Sequence, residues 1–196
     1  MADAGNQRVQ KLASDGGFIA EWKGPDPGFY GPRGIAIGPD ASVYVIDQGH
    51  IRVAKFDLDG RTLAVWGSKG KSDGKFDDPT SVAVDPTTNR VYVADPRNKR
   101  IQVFDADGKF LSKWSVPEWG DHAGFEDLVT DSAKHRLYAS SAHTGCVLVF
   151  DLNGTPLGKL MPPPPTKLGG PSGLALFGTK IYVPSYGDNR VIQINL

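Results

Sequence analysis

Three Asp and Arg pairs at one fixed spacing are the first residues whose chemistry could matter: Asp3/Arg8, Asp47/Arg52 and Asp95/Arg100. A ring of such charges would bind a polar ligand, whereas buried ion pairs would hold loops together. At the corresponding place further along, both partners are lost together and Ser141 and Cys146 stand there instead. Joint loss is the mark of a structural pair, because removing one partner alone strands an uncompensated, partly buried charge. The structural reading is therefore preferred for Asp47, Arg52, Asp95 and Arg100. Later in the chain Ser185 faces Arg190, with Asp188 as the acid that could substitute.

Other reactive types are scattered. A cationic cluster comprises Lys69, Lys71 and Lys75 in one loop, with Arg33, Arg97 and Lys99 in loops expected on the same face, diluted by Asp73, Asp77 and Asp78. Such a face is ordinarily solvated, and otherwise takes an anionic ligand or nucleic acid. His50, His122, His135 and His143 have no metal-ligand spacing and read as solvated loop residues. Phe29, Phe76 and Phe125 recur in register and are expected to pack, whereas Tyr30, Trp119 and Tyr186 fall outside the register and are better surface candidates. Cys146 opens an apolar strand, so it reads as a packing residue, and as a lone cysteine it excludes an internal disulfide and a Cys-built zinc site. Pro162 to Pro165 form a run expected to be extended. No glycine cluster precedes a helix in the manner of a phosphate loop, and no catalytic acid pair, Ser-His-Asp set or HExxH motif is present. No cofactor, catalytic residue or metal ligand is assigned.

The elements that must position these residues are repeats. Tyr44, Tyr92, Tyr138 and Tyr182 recur at separations of 48, 46 and 44 residues, each inside a short apolar stretch. A second unit follows each of the first three: Val53 to Gly60, Ile101 to Gly108 and Val147 to Gly154 all run from an alternating strand into Asp-x-Asp-Gly or Asp-x-Asn-Gly. That ending supplies φ-tolerant residues for a tight hairpin. A further short strand then ends in a bulky residue, at Trp22, Trp66, Trp114 and Leu160. Each repeat thus reads as four short antiparallel strands, a to d, which is a propeller blade. A small sheet cannot bury both faces alone, so neighbouring sheets pack face to face around an axis.

The reading is an all-β chain and a single domain: a β-propeller array of about four blades and 17 strands, with a partial blade in 1–31, blades in 32–78, 79–127 and 128–170, and a partial blade in 171–196. The strands Arg8 to Leu12 and Arg190 to Ile194 both claim the c position. Either the array is an open arc of a larger ring, which is favoured, or a four-bladed ring closes with one spare strand. Composition agrees with a loop-rich globule: 24 Gly and 15 Pro among 196 residues, with 22 basic residues against 22 acidic ones. Zero net charge argues against attraction of the whole domain to nucleic acid or anionic lipid. No apolar run long enough to span a bilayer and no signal peptide is seen in the sequence, so membrane insertion is not expected and the compartment stays open.

The stretches Asp3 to Gln10, Asp95 to Gln102 and Gly31 to Ile37 resemble NHL repeats. That resemblance implies a six-bladed type of propeller, of which roughly two thirds would be present here. It also implies a range of roles: protein-interaction platforms, RNA-binding domains, peptide amidating lyases and extracytoplasmic bacterial modules. The lyases would need zinc-binding His residues after the Pro that opens strand a. Here those places read Pro32-Arg33, Pro79-Thr80 and Pro171-Ser172. The expectation is a non-catalytic recognition scaffold that binds a protein or other ligand on the face of the b–c and d–a loops, through Arg33, Lys69, Lys71, Lys75, Arg97, Lys99, Trp119 and Tyr186. The alternatives are a propeller hydrolase or lyase with a channel metal, and RNA binding through the lysine loops. Self-association through open blade edges is a further expectation.

Overall fold

The computed structural model describes residues 1–121 and 124–196. It contains 18 strands in five antiparallel sheets. The first sheet is β1 (Ala2–Asp3), β2 (Arg8–Leu12) and β3 (Phe18–Trp22). The second is β4 (Pro32–Ile37), β5 (Val43–Asp47), β6 (Arg52–Phe56) and β7 (Thr62–Trp66). The third is β8 (Ser81–Asp85), β9 (Arg90–Asp95), β10 (Arg100–Phe104) and β11 (Phe110–Ser115). The fourth is β12 (Leu128–Asp131), β13 (Arg136–Ser141), β14 (Cys146–Asp151) and β15 (Pro156–Leu160), and the fifth is β16 (Ala175–Phe177), β17 (Lys180–Ser185) and β18 (Arg190–Asn195).

The all-β propeller stands, with five sheets of three or four strands where about four blades were expected. The strand missed in sequence is β1, too short for any alternation to show, which pairs Ala2 with Val9 and Asp3 with Arg8. The two c-type strands lie in different sheets: β2 lies between β1 and β3, and β18 pairs with β17. Neither is a spare copy.

The hairpin turns explain why the sheets stack in register. Asp57 Oδ1 accepts from the amides of Asp59 and Arg61 at 3.0 and 2.9 Å. Asp105 and Asp151 repeat this with Asp107 and Lys109 and with Asn153 and Thr155. Each turn ends on a left-handed glycine, with φ of 84° at Gly60, 86° at Gly108 and 94° at Gly154. A Cβ there would lie 2.2 to 2.4 Å from the indole of Trp22, Trp66 or Trp114, each from the preceding sheet. The recurring glycine is therefore the seat for the neighbour's tryptophan. Two of the repeated tyrosines lock the same junctions, as Tyr44 Oη donates to Ala106 O at 3.2 Å and Tyr92 Oη to Leu152 O at 3.0 Å, whereas Tyr138 Oη is buried without a partner. One apolar cluster fills each of the four junctions. The inner strands β4, β8, β12 and β16 follow one another along the channel wall.

Candidate functional site

The loop face is built by the Asp and Arg pairs. Arg100 Nε meets Asp95 Oδ2 at 2.7 Å, and its other nitrogens donate to the carbonyls of Lys71, Ser72 and Lys75. Asp95 Oδ1 accepts from the amide of Asp77 at 2.7 Å. This pair thus ties a b–c loop to the d–a loop that precedes its sheet. Arg52 and Asp47 repeat the clamp at 2.8 Å, with the carbonyls of Pro25, Asp26 and Gly28 and the amide of Tyr30. Asp3 and Arg8 pair at 2.9 Å, and Asp188 stands 3.7 Å from Arg190.

The fourth sheet solves the same problem with different residues. Ser141 Oγ donates to Glu118 O at 2.8 Å, and Trp119 Nε1 donates to Ser140 O at 2.9 Å. Trp119 is fully buried, contrary to the expectation that it lies on the surface. Its place outside the repeat register reflects this substitution: an anchoring indole replaces the missing ion pair. Cys146 is buried as expected, with Sγ 3.1 Å from Thr144 Oγ1. The proline run, expected to be extended, closes into a turn in which the Thr166 amide donates to Pro163 O.

The expected ligand residues are dispersed. Lys69, Lys71 and Lys75 are exposed, Arg97 pairs with Asp78 at 3.1 Å, and Lys99 pairs with Asp121 at 2.6 Å. Tyr186 is 81% exposed and lies beside Asn189 at the fifth sheet. His50 Nδ1 lies 3.0 Å from Asp47 Oδ2, His143 packs beside Gly120, and His122 lies outside the described residues. Among the described residues no three His, Cys, Asp or Glu side chains are grouped so as to hold a metal ion.

A different set converges at the channel mouth. The ladders pair Ala36 with Tyr44, Ala83 with Tyr92, Val129 with Tyr138 and Ala175 with Tyr182. Counting back three residues from each partner gives Arg33, Thr80, Glu126 and Ser172. These four register-equivalent positions line one pocket of about 210 Å³, together with Gly34, Phe125 and Asp127. The register also explains Phe125. Phe29 and Phe76 are buried, but Phe125 stands at the place of Pro32 and Pro79 and is 56% exposed, with the Arg33 guanidinium 4.1 Å above its ring. Its expected packing role is not seen.

The two acids of the pocket differ in satisfaction. Asp127 Oδ1 accepts from Ser81 Oγ at 2.5 Å, and Oδ2 accepts from the Leu174 amide at 2.8 Å, so its carboxylate joins three sheets. Glu126 is 1% exposed, and only Oε2 is engaged, by the Gly124 amide at 2.9 Å. Glu126 Oε1 is buried with no hydrogen-bond partner. Burial pushes both carboxyl groups above their ordinary range, and the Asp78 carboxylate adds to this at Glu126. Burial lowers the Arg33 pKa, an effect partly opposed by Asp78.

An NHL repeat matches residues 76–104, which hold the first three strands of the third sheet, β8 to β10. The five-sheet array is a β-propeller, and this one matching repeat supports the NHL type for it. No curated protein sequence matches it. Among solved structures it is similar to a catalytically inactive virginiamycin B lyase from Staphylococcus aureus with quinupristin, at 15% identity and a TM-score of 0.73, over 97% of this chain and 60% of that one. A selenomethionine-substituted virginiamycin B lyase from the same organism gives 14% identity and a TM-score of 0.70, over 98% and 64% of the two chains. A streptogramin B lyase gives 18% and 0.70, over 98% and 63%. The chain therefore spans about three fifths of the length of these structures. Likeness at this identity is a likeness of fold.

Proposed function

We propose that the chain is a non-catalytic recognition scaffold whose ligand enters the channel mouth on the b–c and d–a loop face. The observation that carries this reading is the convergence of Arg33, Thr80, Glu126 and Ser172 at the leading ends of four successive inner strands, around a pocket whose lining includes Glu126, a side chain with one buried oxygen left without a partner. A concave site with a few convergent polar groups is the general form of a binding site. The loops around it are held by Asp47, Arg52, Asp95 and Arg100, which act as structure and leave the inner ring to make contacts.

A second reading is a lyase or hydrolase with a channel metal. The activity named for the similar structures favours it, and Glu126 and Asp127 are the acids that would serve it. RNA binding draws on exposed Lys69, Lys71 and Lys75 only, since Arg97 and Lys99 have acidic partners. The test is an amide-resolved NMR titration against a panel of small carboxylates, amines, zwitterions and polyols, with and without added Mg²⁺ or Zn²⁺. Binding that shifts residues 33–34, 80–81, 124–127 and 172–173, without metal, supports the scaffold. Binding that requires the metal, or that leaves these residues unmoved, contradicts it.

A further inference from the structure

The pocket holds two charged groups of opposite sign, and each has unused hydrogen-bonding capacity. Arg33 is half-buried and stacks on Phe125, yet its guanidinium has no hydrogen bond or ion pair among the described residues. A guanidinium carries five N–H donors in a planar fork that fits a carboxylate. Glu126 offers the opposite capacity, because Oε1 is an acceptor shielded from water with nothing donating to it. Leaving such an atom unpaired is costly, so a donor that reaches it gains more than it would in water.

Other ligand classes fit less well. A Ca²⁺ or Mg²⁺ ion takes six or more oxygens, waters included, and Zn²⁺ takes about four nitrogen, sulfur or oxygen donors, yet no three His, Cys, Asp or Glu side chains are grouped among the described residues. Asp127 has both oxygens committed to Ser81 and Leu174, and the Arg33 cation lines the same pocket. A polyanion would meet Glu126 together with Asp78, whose charge already reaches that carboxyl. A simple organic cation would leave Arg33 without a partner and would be repelled by it.

We infer that the channel mouth binds a small zwitterion, its carboxylate on Arg33 and its ammonium group on Glu126 Oε1, with Thr80 and Ser172 at the rim. This rests on the reading of the channel mouth as a ligand site and names the class of ligand. The pocket of about 210 Å³ has room for an amino acid or a short ω-amino carboxylate. The exposed Phe125 ring flanks the methylene chain of such a ligand.

Calorimetric titration of the full chain with glycine, 4-aminobutanoate and 6-aminohexanoate, set against butanoate and butylammonium, tests this. The best zwitterion is expected to bind at least about tenfold more tightly than either single-charge analogue, since it gains both charge-assisted contacts. Glu126→Gln should reduce its affinity to that of butanoate, and Arg33→Gln to that of butylammonium. Thermal unfolding of each variant confirms that it is folded before it is titrated. If butanoate or butylammonium binds as tightly as every zwitterion, the ligand class is wrong and the site survives. If none of the five probes binds and the wider panel also leaves the mouth unmoved, both the class and the site are overturned.

Discussion

Burial decides what each charged residue of the loop face does. Asp95 is fully buried and Arg100 nearly so, and the guanidinium also satisfies three carbonyls of the loop that carries Lys71, Ser72 and Lys75. Arg100→Ala should therefore cost about 3 kcal/mol, whereas Lys99→Ala loses only an exposed partner and should stay within about 0.5 kcal/mol. Equal losses in thermal unfolding would refute the clamp. Glu126 gives a prediction with a defined sign. Its folded pKa lies above the ordinary 4.5, so between that value and the raised one the folded chain holds a proton the unfolded chain has released. Stability falls as pH rises through this window. Glu126→Gln, which has no such titration, should be more stable than the parent above the window, by roughly 1 kcal/mol, and the two should converge as pH falls below 4.5. A constant difference across pH would show that the carboxylate is not the cause. The paired Asp and Arg were legible in sequence because they recur. Glu126 was not, because Phe125 stands where the repeats place proline, so the position after the opening residue went unread in that repeat.

The junction between sheets is the unit of stability at the scale of elements. Gly108 and Gly74 both sit in the left-handed region, at φ of 86° and 75°, but only Gly108 has a neighbour: a Cβ there would come within 2.4 Å of Trp66, while one at Gly74 would meet nothing within 4 Å. Gly74→Ala should cost about 1 kcal/mol for backbone strain. Gly108→Ala must also displace the indole and should cost at least ~2 kcal/mol more. Denaturant unfolding separates the two, and equal losses would mean that the Trp66 contact is not part of the lock. The strands and turns of the repeats were readable from the tyrosine period and the Asp-x-Asp-Gly turns, which are local signals. What escaped was non-local or too short: β1 has two residues, and Trp119 is buried because its own loop lacks the ion pair that anchors the others.

The whole molecule is an array of five blades whose inner strands bring one register position, from four sheets, to a common mouth. The propeller supplies geometry, and the identity of the residue at that one position supplies the chemistry. Arg, Thr, Glu and Ser in turn make an asymmetric rim from a repeating scaffold. The likeness to virginiamycin B lyase extends to this scaffold, and the ligand follows from the rim. The most direct measurement is the amide shift map of the full chain titrated with 4-aminobutanoate, run in parallel on the Arg33→Gln/Glu126→Gln double variant. A zwitterion seated at the channel mouth shifts residues 33–34, 80–81, 124–127 and 172–173 in the parent and none in the double variant. Shifts centred on the outer strands β7, β11 and β15, or unchanged in the double variant, would contradict this seating.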